Sequence, residues 1–213
     1  MAHHAGATAH WESLWSSGLQ PGQLFDVGGA SPTLLGCLSR GNYAPRRGMK
    51  AFVPGCGRAY DALALAKHGF DEVVALDLSP TAVEAARDFV AASSDEAASK
   101  VRCETGDFFA HEAQYDFIWD CTFLCALDPT VREQWAARHR QLLTPEGVLA
   151  SCVFPICDKE GGPPFALSPE LVRGLLEPTG LKCEVVEVPQ SEYHQPPGSG
   201  SLTASTALLL ARP

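Results

Sequence analysis

A mostly parallel α/β sheet with helices on both faces is the architecture this sequence predicts, and three observations predict it. Apolar, strand-like runs alternate with helical patterns along most of the chain. The first such run, Met49 to Val53, leads into the turn Pro54-Gly55-Cys56-Gly57, and the next, Val73 to Leu76, ends in a carboxylate, Asp77. The last two runs, Lys182 to Val188 and Thr203 to Ala211, have no helical segment between them. They read as an antiparallel hairpin that closes a seven-stranded sheet.

Each element has a local reason. Trp11 to Ser17 is a short helix with Glu12 in its first turn, and Trp11 and Trp15 share one face of it. Gly18 to Ala30 is a glycine-rich loop. Ser31-Pro32 reads as an N-cap followed by proline at the first helical position, opening a helix that carries Leu34, Leu35 and Leu38. After the strand Lys50 to Val53, a helix from Ala59 to His68 is stopped by Gly69. Ser79-Pro80 caps the next helix, which runs through Ala82, Val83, Ala86 and Val90, and the polar stretch Ser93 to Ser99 is a loop. Val101 to Glu104 and Tyr115 to Cys121 are strands, and Pro129 to Leu143 is an amphipathic helix ended by the turn Thr144-Pro145-Glu146-Gly147. Val148 to Phe154 is nearly all apolar, which suits a central position. Cys157 to Phe165 is a proline- and glycine-rich loop, Ser168-Pro169-Glu170 opens the last helix, and Ser191 to Ser201 is a loop.

Composition narrows the function. The chain has 213 residues, enough for one α/β domain, with about the first thirty residues read as a mobile leader and an N-terminal lid. Its formal net charge of −9 argues against nucleic acid or an anionic membrane as partner. A small molecule fits better, and the chain is taken as a monomer. No run is long enough to span a bilayer and Met1 to His10 has no apolar signal core, which favours the cytosol. The eight cysteines form no C-x-x-C pair and read as small buried hydrophobes. His3, His4 and His10 read as part of the leader, so no metal site is expected.

The glycine turn and the carboxylate carry the chemistry. Glycines without a Cβ let a ligand approach the backbone, and Asp77, followed by Leu78, stands where a carboxylate can accept hydrogen bonds from two ribose hydroxyls. An adenosine-containing cofactor follows. Tyr60 occupies the place of the last glycine of G-x-G-x-x-G, which removes the cradle a pyrophosphate needs. S-adenosylmethionine has no phosphate and suits the turn better than NAD. Asp107-Phe108 follows the third strand, so all three features lie beyond carboxyl ends of strands, where such sheets bind ligands.

This set resembles the class I S-adenosylmethionine-dependent methyltransferases, a Rossmann-like fold. The resemblance implies that Gly55 and Gly57 back the cofactor, Asp77 holds its ribose, and Asp107 and Phe108 bracket its adenine. Trp11-Glu12-x-x-Trp15, Pro54-Gly55-Cys56-Gly57, Asp107-Phe108-Phe109, Cys125-Ala126-Leu127 and Glu160-Gly161-Gly162-Pro163-Pro164 together are similar to the thiol/halide methyltransferases of the thiopurine methyltransferase superfamily. That resemblance implies an N-terminal segment, with Trp11, Trp15 and Phe25, folded over the cofactor, where aromatic faces attract the sulfonium cation. Cys121 stands where relatives often have tyrosine, and Ala59 where many have glycine. Asp120, Asp158 and His194 are the candidates for a base.

The expected activity is in-line methyl transfer to a small thiol, bisulfide or halide. A larger metabolite, such as an aromatic thiol, phenol or amine, is the first alternative, with Phe25, Ala59 and Cys121 leaving space for it. A non-catalytic cofactor-binding module is the second.

Overall fold

A computed structural model describes residues 2–197 and 204–213. Seven strands form one sheet: β1 (Lys50–Pro54), β2 (Glu72–Asp77), β3 (Val101–Thr105), β4 (Tyr115–Cys121), β5 (Leu143–Ile156), β6 (Lys182–Val186) and β7 (Ser205–Arg212). Their order is β3-β2-β1-β4-β5-β7-β6. β1 to β5 pair in parallel, and β7 runs antiparallel to both β5 and β6. The helices are α1 (Ala2–Ser16), α2 (Pro32–Ser39), α3 (Tyr60–His68), α4 (Pro80–Ala91), α5 (Arg132–Leu142) and α6 (Pro169–Leu176). This is the α/β sheet with an antiparallel end that the sequence predicts.

The sheet is buried on both faces, so alternate side chains of one strand enter different cores. On β4, Phe117, Trp119 and Cys121 join the core that holds Leu34, Leu65 and Phe70. Ile118 joins the opposite core, with Trp135 and Leu142 of α5. That alternation decides which β4 residues can reach the site.

Local structure departs from expectation in a few places. α1 begins at Ala2 rather than Trp11. The stretch read as a loop ends in a 3-10 turn, Glu96–Lys100, whose first N–H groups are served by Asp95 Oδ1 on Ala97 N at 2.9 Å. The residues read as a turn before the fifth strand belong to β5, because Leu143 already pairs with Tyr115 across a register shift. Gly147 permits this: a Cβ there would lie 2.8 Å from the Tyr115 carbonyl oxygen. The expected strand start at Thr203 lies outside the described residues, as does the end of the loop read as Ser191 to Ser201. No described helix is long and apolar enough to cross a membrane.

Candidate active site

A cavity of about 550 Å³ opens beyond the carboxyl ends of β1, β2 and β4. After β1 the chain turns through Gly55 and Gly57, with φ of 60° and 50°, in the left-handed region. A Cβ on Gly55 would come within 2.6 Å of the Phe123 ring, and one on Gly57 within 3.3 Å of Trp15. Asp77, 8% exposed, braces the turn. Its Oδ2 accepts the Gly57 N–H at 2.9 Å and its Oδ1 the Ser79 N–H at 3.0 Å. Burial raises its carboxyl above the usual range, against the pull of those backbone bonds. Leu78 lines the cavity beside it. Asp107 turns the chain after β3, its Oδ1 accepting the Phe109 N–H at 2.9 Å, and Phe108 meets Phe109 and Phe123 edge-on.

The N-terminal segment covers this turn. Glu12 accepts hydrogen bonds from Ser79 Oγ at 2.5 Å, from Thr81 N at 3.3 Å and from Thr81 Oγ1. Ser79 and Thr81 head α4, whose N-terminal dipole favours an anion. The Ser79 bond first, then Thr81, holds the Glu12 carboxyl below its usual range. Trp11 and Trp15 meet Phe25 edge-on at 5.7 and 5.8 Å. Asp26, 7% exposed, accepts the Gly22 and Gly28 N–H groups and binds Arg58 Nε at 3.0 Å. Arg58 also donates to the Leu19 carbonyl and lies 5.3 Å over the Trp15 ring. One arginine thus ties the loop after α1 to the glycine turn.

Phe123, Leu127, Phe154, Pro163 and Pro164 add apolar wall to the cavity. Lys159 lines it too, with Nζ donating to the Pro164 carbonyl at 3.1 Å. No ion pair holds Lys159 among the described residues. The loop is anchored by Phe165 N–H on the Cys125 carbonyl at 2.7 Å, and Gly162 has to be glycine there, because a Cβ would sit 2.5 Å from Phe165 Cγ.

Trp11, Trp15, Phe25, Gly55, Gly57, Asp77, Leu78, Asp107, Phe108 and Cys121 all line this cavity. Asp120 and Asp158 do not. Asp158 is exposed on the loop beside Lys159. Asp120 points with Ile118 into the α5 face, 1% exposed, where it accepts Trp135 Nε1–H at 2.7 Å and Leu124 N–H at 3.2 Å. It is a buried brace behind the site rather than a base in it. Ala59 keeps a left-handed φ of 61° and is fully buried outside the cavity, and Phe25 is packed against both tryptophans. Glu12, Asp26, Arg58, Ser31, Asp61 and Lys159 were not anticipated. Most of them are fixed by partners remote in sequence, which no local pattern reveals.

Burial around Asp120 also sets an acid response. His139 is fully buried, 3.8 Å from Asp120, and burial pushes its pKa down to about 3. Below its unfolded value the unfolded chain binds a proton that the folded chain refuses, so His139 costs stability as pH falls below about 6.5. Burial raises Asp120 to about 6, which works in the opposite direction between the usual carboxylate range and pH 6. His139→Gln is therefore expected to gain stability relative to wild type on acidification, by up to about 1.4 kcal/mol per pH unit. Urea unfolding of both proteins at pH 7.5 and 5 checks this; parallel losses would contradict it.

Comparison with known proteins agrees with the geometry. Residues 6–207 match the family model for thiopurine S-methyltransferase. The chain is 36% identical over 192 residues to "Probable thiol methyltransferase 2" of Arabidopsis thaliana, across 89% of this chain and 80% of that protein. It is 33% identical to "Thiocyanate methyltransferase 1" of Brassica oleracea, across 83% and 75% of the two chains. It is 32% identical to "Thiopurine S-methyltransferase" of Vibrio parahaemolyticus, across 87% and 88%. Among solved structures, a glycopeptide N-methyltransferase, MtfA, complexed with S-adenosylmethionine superposes with a TM-score of 0.66 at 16% identity, covering 86% of this chain and 94% of that one. A TehB-like S-adenosylmethionine-dependent methyltransferase from Corynebacterium glutamicum superposes with a TM-score of 0.60 at 18% identity, covering 99% and 98%. At such identities these two speak for the fold. The chain belongs to the thiopurine S-methyltransferase family and is an S-adenosylmethionine-dependent methyltransferase of the thiol/thiopurine type.

Proposed function

We propose that the protein transfers a methyl group from S-adenosylmethionine to a small, soft nucleophile: a thiol as its thiolate, bisulfide, or a halide or thiocyanate anion. The residues present fit the cofactor. A glycine cradle that a Cβ on Gly57 would fill against Trp15 lies beside Asp77, a buried carboxylate with acceptor capacity left beyond its two backbone bonds. S-adenosylmethionine supplies a methyl carbon made electrophilic by a sulfonium. Trp11, Trp15 and Phe25 line the same space and offer faces that attract such a cation. Asp77 would hold the ribose, and Asp107 and Phe108 the adenine end. The lid latched by Glu12 excludes water and keeps the nucleophile poorly solvated. Holding two reactants in line contributes about 7–11 kcal/mol, and a soft anion needs no deprotonation.

The observation that carries the choice of acceptor is Lys159, an ammonium in the cavity wall beside the apolar Pro163 and Pro164. Such a pocket desolvates a polarisable anion and answers its charge. The names of the related proteins also favour sulfur acceptors. Lys159→Met is expected to raise KM for thiocyanate and iodide about tenfold or more, since a bond to a charged group contributes about 1.5–3 kcal/mol, while kcat changes little. Unchanged KM for both anions would remove Lys159 from acceptor binding.

A further inference from the structure

We propose that Ser31 and His194 form a proton-accepting pair that lets the site methylate a thiol arriving in its neutral, protonated form; the proposal rests on the thiol-acceptor reading above. Three observations carry it. First, Ser31 stands at the N-cap of α2, where a serine hydroxyl ordinarily accepts from the helix, yet its side chain makes no capping bond. The Ser31 hydroxyl instead lies 3.3 Å from His194 Nδ1. Second, Ser31 and Cys121 both line the cavity, and Cys121 Sγ is 3.6 Å from the same nitrogen. Third, His194 is 4% exposed and its Nε2 is buried with no partner among the described groups. A buried polar atom left without a partner calls for an explanation, and a proton-handling role is one.

The surroundings hold the pair in place. The His194 backbone N–H donates to Thr206 Oγ1 of β7 at 3.2 Å, and the ring meets Phe154 of β5 edge-on. Asp61 of α3 accepts the Ser31 N–H at 2.6 Å and Trp119 Nε1–H at 2.7 Å. The titratable groups facing the imidazole are Asp61 from α3 and Cys121 from β4, with Cys152 of β5 beside Cys121. Burial works against the imidazolium, and the Asp61 carboxylate favours it. The Cys121 thiol is pushed well above its usual value by burial, so it stays protonated and is no nucleophile at neutral pH.

The step balances. The acceptor S–H bond breaks and its proton passes to Ser31 Oγ while the Ser31 proton passes to His194 Nδ1. The acceptor sulfur keeps the electron pair and forms the S–CH3 bond with it. The sulfur that gives up the methyl keeps the pair of the broken bond and loses its positive charge. His194 then releases one proton to solvent per turnover. Thiocyanate, already an anion, makes no use of the pair.

The test compares wild type, His194→Asn and Ser31→Ala with a small alkyl thiol and with thiocyanate, as pH profiles of kcat/KM. In wild type the thiol profile levels off near neutral pH. In both variants it continues to rise toward the thiol's own pKa, and the thiol-to-thiocyanate ratio at pH 7 falls about tenfold or more. The thiocyanate profile stays flat in all three proteins. Nitrogen-15 spectra of the cofactor-free protein should show Nδ1 of His194 unprotonated and Nε2 carrying the proton. A thiol profile of unchanged shape in the variants, equal losses on both acceptors, or a proton on Nδ1 in the neutral ring would overturn the proposal. If wild type methylates neither acceptor, the thiol reading itself fails and the proposal with it.

Discussion

Asp77→Ala should lower S-adenosylmethionine affinity by about 1.5–3 kcal/mol, roughly tenfold to a hundredfold. The carboxylate is nearly buried, and its oxygens brace the glycine turn through Gly57 and the head of α4 through Ser79. Removing it deletes the acceptor offered to the ribose and leaves two backbone N–H groups without their partner. Some loss of stability is therefore expected as well, about 1–3 kcal/mol for groups left unsatisfied. Calorimetric titration at a temperature where circular dichroism shows the variant folded separates the two effects. Unchanged affinity under those conditions would exclude Asp77 from the ribose site.

Deleting residues up to Ser17 should weaken cofactor binding about tenfold or more, because each aromatic face over a cation contributes about 0.5–2 kcal/mol. Two tryptophans that line the cavity leave together, and with them the Glu12 bonds to Ser79 and Thr81. Trp15 is only 5% exposed and packs with Leu19 and Ala82, so the truncation also removes packing. Glu12→Gln separates the roles. It keeps the shape and the tryptophans but loses the anion at the head of α4, so it should raise the KM for S-adenosylmethionine severalfold with little change in melting temperature. Normal turnover by the truncated protein would show that α1 is not a lid.

Much of the fold was legible because the signals are local. The glycine turn after β1, the carboxylate after β2 and the Asp107-Phe108 pair after β3 each follow an apolar run, and one cavity gathers them. Ser79 and Ser168 cap α4 and α6 through their side chains, as their Ser-Pro pairs indicate. Ser31 carries the same local signal, yet tertiary structure diverts its hydroxyl to His194, 163 residues away. The Arg58–Asp26 pair and the Glu12–Ser79 contact likewise join residues 32 and 67 apart. Asp120 was misread for a different reason. Its place after an apolar run is clear, but which face it takes depends on strand alternation, and that sends it to Trp135 rather than to the cavity. Lys159 sits next to Glu160-Gly161-Gly162-Pro163-Pro164 and carries no pattern of its own.

The most direct measurement is to incubate the protein with methyl-labelled S-adenosylmethionine and a panel of bisulfide, small thiols, thiocyanate, iodide, thiophenol, phenol and an amine, then identify the labelled products. The Lys159 ammonium in the cavity wall predicts label on the small sulfur nucleophiles and on iodide, and little or none on the amine, whose ammonium form would be repelled by both Lys159 and the sulfonium. Label on the amine or the phenol, with none on the sulfur or halide acceptors, would contradict the account.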